Sequence, residues 1–131
     1  VVRDLIAVNK AELIDGFWEV ATDSGEVSVR RFQAACALAT YDPENEQWRN
    51  LEFVEFVAGY LVEVLPSELL PRRDALRPVG GQLVASLAKI YRDERRGEQV
   101  RSFATDTLAD YLSADAVGLF DLLSDIRSYA G

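Results

Sequence analysis

The sequence predicts an all-α domain, a stack of antiparallel helical hairpins with about seven helices. Three observations predict it. Turn signals are sparse and evenly spread, and they leave segments of about 10–18 residues between them, a length that suits helices. No period-two run rich in β-branched residues survives: GEVSVR (25–30) alternates briefly but runs straight into the alanine-rich FQAACALAT. Finally, RFQAACALATY (31–41) returns 70 positions later as RSFATDTLADY (101–111), with Arg, Ala, Leu, Ala and Tyr in register.

A short helix is expected at 2–7, followed by one at 9–22. Leu13, Ile14, Phe17 and Val20 fall at i, i+1, i+4 and i+7 there, the spacing of a buried stripe. TDSGE (22–26) ends it, and a second helix over 26–40 carries the repeated phrase. YDPENE (41–46) leads into a helix over 46–64, apolar almost all round, whose narrow wet stripe is Glu52, Glu55, Gly59 and Glu63. So thin a stripe predicts cover on most sides. LPSE (65–68) precedes a helix at 67–77, and RPVGG (77–81) precedes one at 81–92. DERRGE (93–98) separates that helix from one at 98–112, and LSAD (112–115) introduces a closing helix at 115–128.

The repeat extends upstream at the same offset. Leu13, Ile14, Phe17, Val20 and Asp23 match Leu83, Val84, Leu87, Ile90 and Asp93. Each unit is thus a first helix, an Asp at the turn, and a second helix opening on Arg31 or Arg101. The pair within 46–77 makes a third hairpin. One hairpin cannot bury its apolar face alone, so paired helices at such periods imply a stacked array.

The pattern resembles HEAT-type α-solenoids. The second helix of that family opens with Val-Arg and continues with Ala three and Leu seven residues after the Arg. VRSFATDTL (100–108) matches through Val100, Arg101, Ala104 and Leu108, whereas RRFQAACAL (30–38) has Arg30 in the Val place. The family's turn Asp precedes the Arg by about six residues; Asp23 and Asp93 precede theirs by eight, so the connection here is longer. ACALATYDPENEQW, LRPVGGQLVASLAKIYRD and LADYLSADA are also similar to helical-repeat segments of large multidomain bacterial proteins with kinase-like or sulfatase-modifying-factor-like domains elsewhere. The resemblance implies a right-handed stack with a scaffold or interaction role and no chemistry.

Composition narrows the function. The 131 residues fit one domain over 1–131. Methionine is absent even at position 1, so the chain reads as a piece of a longer protein. VVRDLIAVNK carries Arg3 and Asp4 and does not read as a signal peptide, and no apolar run reaches the roughly 18 residues of a membrane span. Fourteen basic against 22 acidic residues leave a net charge of −8, which opposes binding to nucleic acid or to an anionic membrane. A lone Cys36 excludes an intrachain disulfide and suits a reducing compartment such as the cytoplasm.

The chemistry-bearing residues are few. Histidine is absent, which removes the commonest general base and metal ligand. Cys36 lies among alanines, where a small buried hydrophobe is expected rather than a thiolate. Asp106/Asp110, Asp121/Asp125 and the Glu52/Glu55/Glu63 stripe have helical spacing, but no DxDxDG loop accompanies them. VGGQL (79–83) lacks the marks of a phosphate loop and reads as a bend after Pro78. The basic clusters Arg72/Arg73/Arg77 and Arg92/Arg95/Arg96/Arg101 are weighed against interleaved Asp93, Glu94 and Glu98.

The expectation is therefore a non-enzymatic module without cofactor or metal that binds another protein or another domain of its parent chain. The alternative is a helical domain binding a small molecule or nucleic acid in the service of a catalytic domain elsewhere. Arg30, Gln33, Arg73, Arg77 and Thr105 are the candidate partner-binding positions, on the second helices. Asp23, Arg31, Asp93 and Arg101 are expected to be structural: each Arg reaches an Asp or a free carbonyl at the hairpin turn and fixes the angle between helices.

Overall fold

The computed structural model describes residues 2–114, and the side chains from Lys10 to Ser113. They form six helices: α1 (Val2–Thr22), α2 (Ser28–Tyr41), α3 (Leu51–Leu61), α4 (Pro66–Ala75), α5 (Gly80–Arg92) and α6 (Glu98–Ala114). Two 3₁₀ turns, Glu46–Arg49 and Arg77–Val79, precede α3 and α5. The described residues are all-helical in their regular structure, and the helix expected at 115–128 lies outside them.

Three segments divide differently from the sequence reading; the helix expected at 67–77 ends at Ala75, and Arg77 begins a separate 3₁₀ turn ahead of Pro78. The short helix at 2–7 and its successor are one helix, α1, because no Gly or Pro interrupts residues 2–15. The long helix at 46–64 is a 3₁₀ turn and a separate α-helix. Two asparagines make the division. Asn45 accepts a hydrogen bond from the Gln47 N–H (2.9 Å), and Asn50, in extended conformation, accepts one from the Phe53 N–H (3.4 Å). Each side chain satisfies a backbone donor that a helix start would otherwise leave free, which makes a new start at Asn50 favourable. α2 likewise begins at Ser28 rather than 26: the Glu26 N–H turns back to the Asp23 carbonyl, and Val27 is extended.

α1 pairs with α2 and α5 with α6, while α3 packs along α5 and α2 meets α4. Trp18 of α1 touches Phe53 of α3, with ring centroids 5.5 Å apart, and the Tyr111 hydroxyl of α6 donates to the Arg73 carbonyl of α4 at 2.8 Å. First helices thus meet first helices, and second helices meet second helices. The core runs through this arrangement: Phe32 and Leu38 from α2, Val57 and Leu61 from α3, Leu76 after α4, and Leu83 and Leu87 from α5 are all essentially inaccessible. Burying each such side chain contributes about 1.5–3 kcal/mol.

An aromatic cluster closes one end. Trp18, Trp48 and Phe53 stand with centroids 5.0–5.8 Å apart, edge-on or tilted. Asp42 polarises the cluster's rim: its carboxylate accepts from Trp18 Nε1 (2.8 Å) and Asn45 Nδ2 (2.9 Å), and its carbonyl accepts from Trp48 Nε1 (3.1 Å). Both indole N–H groups are thereby satisfied, as buried tryptophans require.

VGGQL does start a helix, and its first glycine has a packing reason. A Cβ on Gly80 would come within 3.0–3.2 Å of the Tyr111 ring, whereas one on Gly81 would meet nothing within 4 Å. Gly80→Ala should destabilise the fold by about 1–3 kcal/mol through this crowding. Gly81→Ala should be neutral or stabilising by up to about 1 kcal/mol. Paired thermal unfolding curves check the contrast, and equal effects would remove the packing explanation.

Candidate functional site

The two repeated turns share five bonds across 70 residues. The Asp23 N–H bonds the Val20 carbonyl, Glu26 N–H the Asp23 carbonyl, and Arg31 N–H the Val27 carbonyl; Asp93, Arg96 and Arg101 make the same bonds to Ile90, Asp93 and Gly97. The side chains follow suit. Asp23 Oδ1 accepts from the Gly25 N–H at 2.9 Å, and Asp93 Oδ1 from the Arg95 N–H at 3.1 Å. Arg31 Nε donates to the Ala21 carbonyl and Arg101 Nε to the Tyr91 carbonyl, each at 3.0 Å.

Each Asp therefore stiffens the turn, and each Arg satisfies a carbonyl near the C-terminal end of the first helix, where intrahelical donors run out. The Arg and the Asp of a hairpin serve the same corner without pairing with each other. Asp93 also has Arg95 at 3.1 Å and Arg96 at 3.8 Å. The Arg95 backbone and side-chain donors hold its carboxyl below the ordinary value.

The candidate partner-binding residues separate into two groups. Arg30, Gln33 and Thr105 are exposed on α2 and α6. Arg30 has only a loose ion pair with Glu26 (3.6 Å), and the Thr105 hydroxyl donates to the Arg101 carbonyl. Arg73 of α4 and Arg77 of the 3₁₀ turn after it are instead tied to α6. Arg77 Nη2 lies 2.7 Å from both Asp74 Oδ1 and Asp110 Oδ2, and Arg73 Nε lies 3.3 Å from Asp110 Oδ2. The Arg73 side chain is only 16% exposed. Asp110 thus has two cationic partners, and both arginines are only partly exposed.

The other singled-out groups also have structural surroundings. Glu55 pairs with Lys89 (3.1 Å) and Glu63 with Arg96 (3.4 Å), so the acidic stripe of the third helix helps join it to α5 and the turn beyond. Among the described residues, no group of three His, Cys, Asp or Glu is placed to hold a metal, and no helix is long and apolar enough to cross a membrane. Asp121 and Asp125 lie outside the described residues.

Cys36 is buried, and desolvation pushes its thiol up to about 11, partly offset by the Arg72 guanidinium. At neutral pH the thiol is protonated whether the chain is folded or unfolded. As pH rises past 9 the unfolded chain loses this proton and the folded chain keeps it, so stability falls by up to about 2–3 kcal/mol across pH 9–11. Cys36→Ala should flatten that part of the stability–pH curve, measured by urea titration. Buried Tyr111, also shifted upward by burial, leaves a residual slope at higher pH.

Sequence reading missed a depression that joins several polar groups. A cleft of about 450 Å³ lies between the first hairpin turn and the start of α3, lined by Thr22, Ser24, Arg31, Gln47, Asn50, Glu52, Phe53 and Phe56. Its floor is aromatic, and the Arg31 guanidinium carbon sits 4.0 Å from the Phe56 ring centroid. The polar residues come from four separate stretches, so no local motif announces them. Comparison with family models, with curated proteins and with solved structures finds no match to this chain.

Proposed function

We propose that this chain is a non-enzymatic interaction module built from HEAT-like helical repeats, a right-handed stack that presents its second helices to another protein or to another domain of its parent. The observation that carries the reading is the recurrence of the corner's shared turn bonds together with its arginine brace, at an offset of 70 residues. A corner rebuilt so closely is what a structural repeat requires, and a catalytic site has no use for two copies of it. The pairing of first helix with first helix and second with second supports the stack, since an array of hairpins makes these contacts between successive units.

The partner-facing positions in this reading are Arg30, Gln33 and Thr105, with Arg73 and Arg77 assigned to the fold. Arg30→Ala, Gln33→Ala and Thr105→Ala combined should leave stability within about 0.5 kcal/mol per site, as exposed substitutions do. Affinity capture with the wild-type domain, read by mass spectrometry, identifies retained proteins, and the triple variant should retain them much less. Undiminished capture by the folded triple variant would place binding elsewhere.

A further inference from the structure

We infer that the cleft beside Arg31 is a carboxylate-binding site, taking an acidic side chain or a chain-terminal carboxylate of a partner. This deepens the interaction-module reading by naming the chemical group recognised.

The case rests on how Arg31 is held. Its Nε is fixed on the Ala21 carbonyl at 3.0 Å, and its guanidinium lies over Phe56 at 4.0 Å. Two contacts of different kinds thus fix the fork's orientation. Among the described residues Arg31 has no ion-pair partner, and its terminal nitrogens make no hydrogen bond. Arg73, Arg77, Arg95 and Arg96 each lie within 4 Å of a carboxylate; of the described arginines that do not, among them Arg49, Arg72, Arg92 and Arg101, Arg31 is the one that lies over an aromatic ring. An oriented arginine with no carboxylate within 4 Å, beside an open cleft, is a place that a foreign carboxylate fits.

The remaining lining refines the choice. Gln47 and Asn50 bring side-chain amides, and Asn50 uses its Oδ1 on the Phe53 N–H, leaving its NH₂ as a donor. Glu52 also lines the cleft and offsets the charge of Arg31, so the second charge of a dianion gains little from this pair and meets the repulsion of a chain of net charge −8. A carboxylate is therefore preferred to a phosphate.

The test is a titration of the ¹⁵N-labelled domain at constant ionic strength with three probes: acetyl-glutamate amide, acetyl-alanine with a free carboxylate, and neutral acetyl-glutamine amide. Saturable shifts at Arg31 Nε–H and at the Gln47 and Asn50 side-chain amides are expected with at least one carboxylate probe and not with the neutral one. The stronger of the two acids tells a side-chain from a chain-terminal source. Arg31→Gln should abolish the shifts, and Arg101→Gln, which removes the matching brace in the other hairpin, should leave them intact. Glu52→Gln should tighten binding about 3-fold or more by removing a like charge. It leaves the brace intact, so it tests the site even if Arg31→Gln fails to fold.

No saturable shift in the wild type, equal shifts with the neutral probe, shifts persisting in folded Arg31→Gln, no tightening in Glu52→Gln, or tighter binding of inorganic phosphate would overturn the assignment. Loss of probe binding with undiminished partner capture in folded Arg31→Gln would overturn a partner role for this cleft alone and leave the module reading standing.

Discussion

Trp48→Ala should lower stability by about 3–5 kcal/mol, as removal of a large buried aromatic does. For a domain of this size that corresponds to roughly 10–20 °C in Tm. Trp48 is only 1% exposed, packs on Trp18 and Phe53, and donates its indole N–H to the Asp42 carbonyl. It sits in the 3₁₀ turn between α2 and α3, so its removal opens a cavity where three segments meet. Trp48→Phe separates the contributions: it keeps most of the packing and loses the hydrogen bond, for about 1–2 kcal/mol. Urea unfolding followed by far-ultraviolet circular dichroism measures both. A loss under about 1 kcal/mol for the alanine variant would mean that the cluster does not anchor the first hairpin to α3.

The second large effect distinguishes the two copies of the repeated phrase. Leu38→Ala should cost about 2–5 kcal/mol, because Leu38 is wholly buried in the middle of the core. Its counterpart Leu108 packs against the same core but is half-buried, so Leu108→Ala should fall at or below the lower end of that range. Ala34 and Ala104 are both buried, which allows the helices of each hairpin to approach closely. Equal losses for the two leucines would show that Leu108 is as enclosed in solution as Leu38. Unfolding curves for the two variants, fitted with a common m-value, decide it.

Much of the fold was legible because helical periodicity and turn chemistry are local. Ile14, Phe17 and Val20 face the core as their spacing demands, and the Asp-led turns fall where TDSGE and DERRGE place them. Leu13 belongs to the same pattern yet is 55% exposed: it lies at the margin of the stripe, and periodicity does not say how wide a face the neighbours cover. The division at Asn50 was missed because Trp48 and Leu51 on either side extend the apolar pattern of the helix across a capping residue. The cleft was missed because its residues come together only when the first hairpin meets α3.

The sequence by itself determined the helical class and the recurrence of Arg31 and Arg101 at matching corners, since these depend on spacing along one chain. Tertiary structure alone decided what each copy does with its partners. Tyr41 and Tyr111 hold the same place in the phrase, but Tyr41 is 51% exposed while Tyr111 is buried against Gly80 with its hydroxyl on Arg73. Arg31 lies over Phe56 beside an open cleft, and Arg101 keeps the brace alone. The reason is that helical spacing assigns a residue to a face, whereas burial, pairing and charge depend on which other helix lies across from that face.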